Sequence, residues 1–531
     1  MTEPSIHEHP AMSSDLRPTS PRDGDHGERD GAQGRRPASG HRDDLNDLDD
    51  GPDAPPRRIT ATGALAIVVG SMLGVGIFLN PTIVAQHSTS AGVYLAMWLL
   101  GGLIALCGAT AFAELGAMIP RSGGEYAFLQ RAFGNSVSVA AGWTLVLVIF
   151  PGSIAAMAVA VSDYQLLPLL AAAGVLDPEH VPPGAATLIA RTLALVIVAG
   201  FTLTNWQGAH VGARTQTALT VVPLVLFAIF AVTGIILFDP APLDPSAPLH
   251  PAATSPTAPG AGPLAAFSVS FMAVYFAYSG WNAVAYAAGE VDRPGRNVPL
   301  GLVGGTLAVT ALYLTLGYFF LHVLGMDGLR EAGEAGSVTA VAVFGDAART
   351  PVTLLIAIAV LSSINGTVLG GARVGFALAR DGLLPRRLAR LSPRTGVPGP
   401  ALLFQAIVSV ALVLTGTFEQ LLQLTSATML IIGTAAVLAL FVLRIREPDT
   451  PRPYRVPLYP LPPLVYVAFS LFVIGWMLVS AVVGIARHDA NRLESTFVLL
   501  GILVFFAVVL AHAMWHRLAR TRAQAPRSGA P

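Results

Sequence analysis

The feature that most constrains this chain is a succession of twelve long apolar runs, at about 60–85, 92–118, 136–163, 185–204, 215–238, 262–289, 299–323, 350–373, 399–416, 420–443, 461–486 and 494–515. Crossing ~30 Å of hydrocarbon at ~1.5 Å per residue takes about 20 apolar residues in a helix, and each run reaches or nearly reaches that length. Lipid offers backbone N–H and C=O groups no water, so a spanning segment must satisfy them internally. The alternating segments of ~10 residues that build an outer-membrane barrel are not seen in the sequence. We therefore expect an all-α integral membrane protein of about 12 helices. The charged fraction agrees: 12%, against about 25% in soluble domains.

The flanks differ. Residues 1–57 are rich in Asp, Arg, Gly, Pro, Ser and His. They carry too little apolar surface to offset the entropy of ordering, so a disordered tail is expected. No secretory leader is read there, and the first apolar run would itself serve for insertion. All 32 basic residues are arginine. With the N-terminus placed in the cytoplasm, and the tail excluded, 21 arginines fall on the inner side and 5 on the outer. That asymmetry follows the positive-inside rule and puts both termini in the cytoplasm. The expected location is the cell (inner or plasma) membrane. Formal net charge is zero, which gives no bulk attraction to nucleic acid. The single cysteine, Cys107, lies in an apolar run. Neither a disulfide framework nor a disulfide-linked partner is expected. The stretch ALARDGLLPRRLARL in the inner loop 374–397 spaces apolar and arginine residues like a short amphipathic surface helix.

Two runs do not read as ordinary membrane helices. The first contains Gly70, Gly74 and Gly76 within GSMLGVGIF, and the sixth contains Phe276-Ala277-Tyr278-Ser279-Gly280-Trp281-Asn282. Glycine clusters weaken a helix in mid-span. Interrupted backbone is tolerated at membrane depth where it lines a cavity or is buried in protein. A half-helix N-terminus attracts a carboxylate, and a half-helix C-terminus attracts an ammonium group. Two facing breaks could thus hold the zwitterionic end of an amino acid without any charged side chain. Runs one and six are five apart, as in a five-plus-five inverted repeat. Close packing through small residues is the alternative for either cluster alone.

The motifs also resemble those of the amino acid–polyamine–organocation superfamily, most closely its L-type and related bacterial neutral amino acid exchangers. Over about 58–450, four stretches carry the likeness in order: GSMLGVGIF from Gly70; AELGAMIPRSGGEY from Ala113; FAYSGWNAVAYAAGEVDRPGRNVP from Phe276; and Ser363-Ile364-Asn365-Gly366 followed by ARDGLLP from Ala379. The resemblance implies a leucine-transporter-type fold, with a core over 58–443 made of inverted repeats at about 58–238 and 262–443. Residues 444–515 would then form a loop and two last helices, and 516–531 a cytoplasmic tail.

It also implies alternating-access transport with no cofactor, no metal and no enzymatic chemistry. By position, Ser71, Gly74, Val75, Gly76, Ile77, Phe276, Ala277, Tyr278 and Ser279 would bind the substrate: Gly74, Val75 and Gly76 would offer backbone N–H groups to its carboxylate, and Phe276, Ala277 and Ser279 backbone oxygens to its ammonium. Phe276 and Tyr278 would be aromatic gates. Trp281 is a weaker gate, for which packing is the preferred reading. Glu114 and Glu125 are expected to brace loops through arginines, and Glu290 and Asp292 to flank Arg293 and Arg296.

One departure concerns coupling. Family members often carry a fifth-helix lysine where others bind sodium, and this chain has none. Pro223 or Thr220 would take its place, depending on alignment. Ser362 and Ser363 could then help hold a sodium ion, or simply bond back to their own helix. The partners expected are an amino acid, the lipid bilayer and, for coupling, sodium or a proton. The uncharged breaks favour a neutral substrate. A cationic amino acid or polyamine antiporter is the alternative, ahead of a membrane enzyme or a non-transporting sensor.

Overall fold

The computed structural model describes residues 57–74, 76–176, 182, 184–237, 263–486, 503 and 510. Outside these lie Val75, the tail but for Arg57, nearly all of the connector 239–263, almost all of the run 494–515, and the segment 516–531. No strand occurs among the described residues; the one bridge joins Ile59 to Val291.

The helices are α1 (Ala61–Met72), α2 (Gly76–Gln86), α3 (Ala91–Met118) and α4 (Glu125–Phe133). After α5 (Asn135–Ala172) come α6 (Ala185–Trp206), α7 (Ala209–Leu237) and α8 (Pro263–Ala277). A 3₁₀ segment, Ala283–Glu290, leads to α9 (Pro294–Glu331) and α10 (Ala335–Phe344). The last are α11 (Arg349–Arg380), α12 (Gly399–Thr415), α13 (Phe418–Arg446) and α14 (Leu461–Ala486). Among the described residues, eight helices are long and apolar enough to cross a membrane, and nine if the bent pair α1 and α2 counts as one span. Each of the first eleven apolar runs coincides with helix.

Local chemistry sets several boundaries. Thr60 and Ser90 cap α1 and α3, each side-chain oxygen accepting a backbone N–H from the first turn. Thr417 and Gln420 form a capping box at α13. The expected surface helix at 374–397 does not form. Instead α11 runs on to Arg380, the chain turns at Gly382, and only a four-residue 3₁₀ turn, Arg386–Ala389, follows. Gly382, at φ +78°, ends α11: its N–H returns to the Ala379 carbonyl and the Leu383 N–H to that of Leu378, and Pro385 follows directly before the 3₁₀ turn.

The inner layer is α1, α2, α5, α8 and α11. α1 packs between α7 and α11, α2 lies along α8, and α5 is covered by α11, α12 and α13. α3 is flanked by α9 and α14. The window of highest hydropathy in α5 is 83% buried, whereas that of α6 is 22% buried. The first therefore runs through the protein interior and the second presents most of its surface outward. Charged pairs cross-link the loops at the arginine-rich ends. Glu114, fully buried, accepts from Arg444 Nε at 2.9 Å and from the Val456 N–H at 2.8 Å, with Arg452 Nε at 3.2 Å. Asp381 receives Arg121 at 2.7 Å together with the Tyr126 hydroxyl.

Candidate functional site

The first expected break is a real interruption. α1 ends at Met72, Leu73 is non-helical, and the Gly74 N–H turns back to the Met72 carbonyl at 2.7 Å. α2 then starts at Gly76 with its axis bent by 44° from α1. The second break follows Ala277, where Gly280 adopts φ +98° before the chain tightens into the 3₁₀ segment.

The two breaks meet. A Cβ on Gly76 would lie 2.5 Å from the Ala277 Cα, and a Cβ on Gly280 would lie 2.7 Å from the Ser71 carbonyl oxygen. Only glycine permits both approaches. The start of α2 is therefore set against the end of α8. One turn further along α2, Asn80 Nδ2 donates to the Ala273 carbonyl at 2.6 Å and locks the pair together.

The expected site residues divide by surroundings. Ser71 is buried with its hydroxyl unpartnered, and its carbonyl accepts from Ser363 Oγ at 2.7 Å. Ile77 is fully buried. The Phe276 carbonyl takes the Ser279 N–H at 2.9 Å, and that of Ala277 takes the Tyr313 hydroxyl at 3.1 Å. The ring of Phe276 faces Phe418. Tyr278 is buried among Trp98 and Tyr313, its hydroxyl donating to the Trp98 carbonyl at 3.0 Å. Trp281 packs edge-on against Phe112 and Tyr466. Tyr313 had no motif to announce it. From α9 its hydroxyl reaches the carbonyls of both Met72 and Ala277, one from each break.

Ser363 reaches across to α1 and Ser362 to α7, rather than bonding back within α11. Ser362 Oγ lies 2.9 Å from Thr220 Oγ1 and accepts from Gln216 Nε2 at 3.1 Å, while Thr220 Oγ1 is 3.4 Å from the Ala66 carbonyl. Thr220, one of the two alternatives for the lysine position, is thus a fifth-run side chain that reaches α1, as is Gln216. Asn365 and Asn205 extend the network, Asn365 Nδ2 donating to Gln216 Oε1 at 2.8 Å.

A cavity of about 530 Å³ leads from the arginine-rich ends toward this network. Ligand pockets commonly hold about 300–1,000 Å³. Its walls include Arg58, Arg214, Arg373, Glu290, Ala283 and Ala287, and it reaches Gln216 and Gly366. A Cβ on Gly366 would come within 2.5 Å of Ser71 Oγ, so the inner end of the cavity lies one residue from the first break.

The acidic residues depart partly from expectation. Glu114 does brace arginines. Glu290 pairs with Arg373 of α11 instead of Arg293 or Arg296, and Asp292 lies 3.9 Å from an exposed Arg293. Glu125 meets no arginine among the described residues. It is 3% exposed, and its Oε1 accepts from Asn282 Nδ2 and from the Tyr286 hydroxyl at 2.9 Å. Desolvation pushes its carboxyl up to about 7, against the pull of those two donors.

Paired interrupted helices at the heart of a membrane-length helical bundle, reached by a cavity from one side, define a helical membrane protein with a small-molecule path. The chain belongs to the amino acid permease family, whose signature matches residues 59–516. It is 28% identical to the Serine/threonine exchanger SteT of Bacillus subtilis over 424 residues, covering 78% of this chain and 90% of that protein. It is 28% identical to the b(0,+)-type amino acid transporter 1 of Mus musculus, covering 79% and 82%. It is 30% identical to the mouse Large neutral amino acids transporter small subunit 2, covering 79% and 76%.

Proposed function

We propose that this protein is a secondary amino acid transporter of the cell membrane that carries neutral amino acids by alternating access. The observation behind this reading is the apposition of the two breaks, Gly76 on Ala277 and Gly280 on the Ser71 carbonyl. Substrate carboxylate would sit at the N–H groups of Gly76 and Ile77, and ammonium at the remaining lone pairs of the Phe276 and Ala277 carbonyls. Ser71 and Ser279 would border it. The Gly74 N–H, engaged with Met72, would have to turn outward to join them. Phe276 would close over the substrate, while Tyr278 and Trp281 support the walls.

In this arrangement twelve spans form two inverted five-helix repeats and a last pair, with both termini in the cytoplasm. The cavity is then the inward vestibule. Three arginines and one carboxylate, Glu290, line it. Glu290 is already paired with Arg373, so these walls offer a cationic side chain no unpaired carboxylate, and a neutral substrate is favoured over arginine or a polyamine. The serine and threonine oxygens at Ser362, Ser363 and Thr220, with the Ala66 and Ser71 carbonyls, supply neutral hard ligands of the kind a sodium ion takes.

Labelled uptake into proteoliposomes, with internal amino acid, sodium and pH each varied, tests the proposal. Uptake that requires internal amino acid identifies an exchanger. Uptake driven by sodium and lost in Ser363→Ala identifies a sodium symporter. Transport of arginine or putrescine, with no neutral amino acid moving, refutes the substrate assignment.

A further inference from the structure

Glu125 is a buried acid that meets no cation among the described residues. Arg121, four residues earlier, is turned to Asp381. The groups facing the Glu125 carboxyl come from several elements: Asn282 and Tyr286 from the segment after the second break, Tyr275 from α8, Leu145 and Ile149 from a π turn in α5, Met429 and Gly433 from α13, and Tyr466 from α14. The only titratable ones are the tyrosines 275, 286 and 466, and none of these residues is charged. Both donated bonds go to Oε1, while Oε2 is buried without a partner. Glu125 lines a void of about 10 Å³, close to the space of one water. An ionised carboxylate would leave a charged, buried oxygen bare; a protonated one carries no charge there. Ser279 and Gly280 of the second break line the same void.

The segment that holds Glu125 is also the wall of the vestibule. Asn282 and Tyr286 point to the carboxyl, while Ala283 and Ala287 of the same turns face the large cavity. Any movement that closes the vestibule by shifting this wall changes the hydration and hydrogen bonding of Glu125.

Resting on the transport reading above, we propose that Glu125 is a proton-binding site coupled to the movement of the 279–290 segment. Oε2 takes a proton from hydronium as the segment closes over the carboxyl, and returns it to water when the segment swings away and the carboxylate is hydrated. On uptake the carboxyl O–H bond forms as a hydronium O–H bond breaks, leaving water; release is the reverse. Because proton affinity differs between the two conformations, proton binding and the conformational equilibrium are linked. The raised carboxyl pKa accords with this geometry.

Glu125→Gln keeps an oxygen to accept from Asn282 and Tyr286 and an N–H₂ in place of the acid O–H, so it preserves bracing and removes titration. The measurements are amino acid exchange in proteoliposomes between about pH 5.5 and 8.5, and infrared titration of the carboxylic C=O stretch in the purified full-length protein. Expected is a several-fold dependence of wild-type exchange on pH that becomes flat in Glu125→Gln, together with a protonated-carboxyl band that Glu125→Gln lacks. A pH-independent wild type, or a Glu125→Gln protein with the wild-type profile, overturns the proposal. If the variant does not fold, the wild-type spectrum decides: no buried protonated carboxyl at about pH 6 overturns it. A protein that moves no amino acid at any pH refutes the transport reading instead; the infrared band then still shows whether Glu125 holds a proton.

Discussion

Replacing Gly280 by alanine tests whether the two breaks must touch. The residue sits at φ +98°, a region that costs a residue with a Cβ about 1–3 kcal/mol. The new methyl would stand 2.7 Å from the Ser71 oxygen, 2.8 Å from its carbonyl carbon and 3.0 Å from its Cβ. Two of these atoms are backbone at the end of α1, which cannot rotate away as a side chain could. Overpacking of this kind costs a further ~1–3 kcal/mol. The total, ~2–6 kcal/mol, exceeds the ~1.4 kcal/mol that changes an equilibrium tenfold, so the breaks should part. Two substitutions calibrate the result. Gly366→Ala meets the Ser71 hydroxyl, a rotatable group, and should cost less. Gly475→Ala, in α14 with no atom within 4 Å, should be neutral or stabilising by up to ~1 kcal/mol. Thermal unfolding in detergent and exchange in proteoliposomes read all three. Gly280→Ala should unfold well below wild type and lose more than about tenfold in exchange. A Gly280→Ala protein with wild-type unfolding and exchange would refute the close apposition.

Other outcomes follow from the same contacts. Glu114→Gln leaves Arg444 and Arg452 without their carboxylate and should destabilise by ~3–5 kcal/mol, read as a lowered unfolding midpoint. Tyr313→Phe removes the hydroxyl shared by the Met72 and Ala277 carbonyls; it should cost ~1 kcal/mol in stability and slow exchange at constant folded yield. The pH dependence of stability should carry the sign of a raised acid. With Glu125 shifted from 4.5 to about 7, the folded state holds the extra proton. Its contribution is complete below pH 4.5 and is lost as pH rises toward about 7, amounting to ~3 kcal/mol, and Glu125→Gln should abolish that slope.

The sequence by itself determined the helices and the places where they fail. Hydropathy and glycine content act within a few residues, so the apolar runs and the breaks near Gly74 and Gly280 were legible before any packing was known. Pairing was not. Glu114 and Glu125 stand eleven residues apart in one motif, and nothing local distinguishes them. The fold gives Glu114 the guanidinium of Arg444, 330 residues away, and gives Glu125 the amide of Asn282, 157 residues away. The same holds for Glu290, drawn to Arg373 rather than to the neighbouring Arg293, and for Tyr313, one aromatic among many until α9 places its hydroxyl between the breaks. Burial sets what a carboxyl costs and its partners set whether that cost is offset; both depend on distant segments, so only the tertiary structure decided which acid is a brace and which can hold a proton.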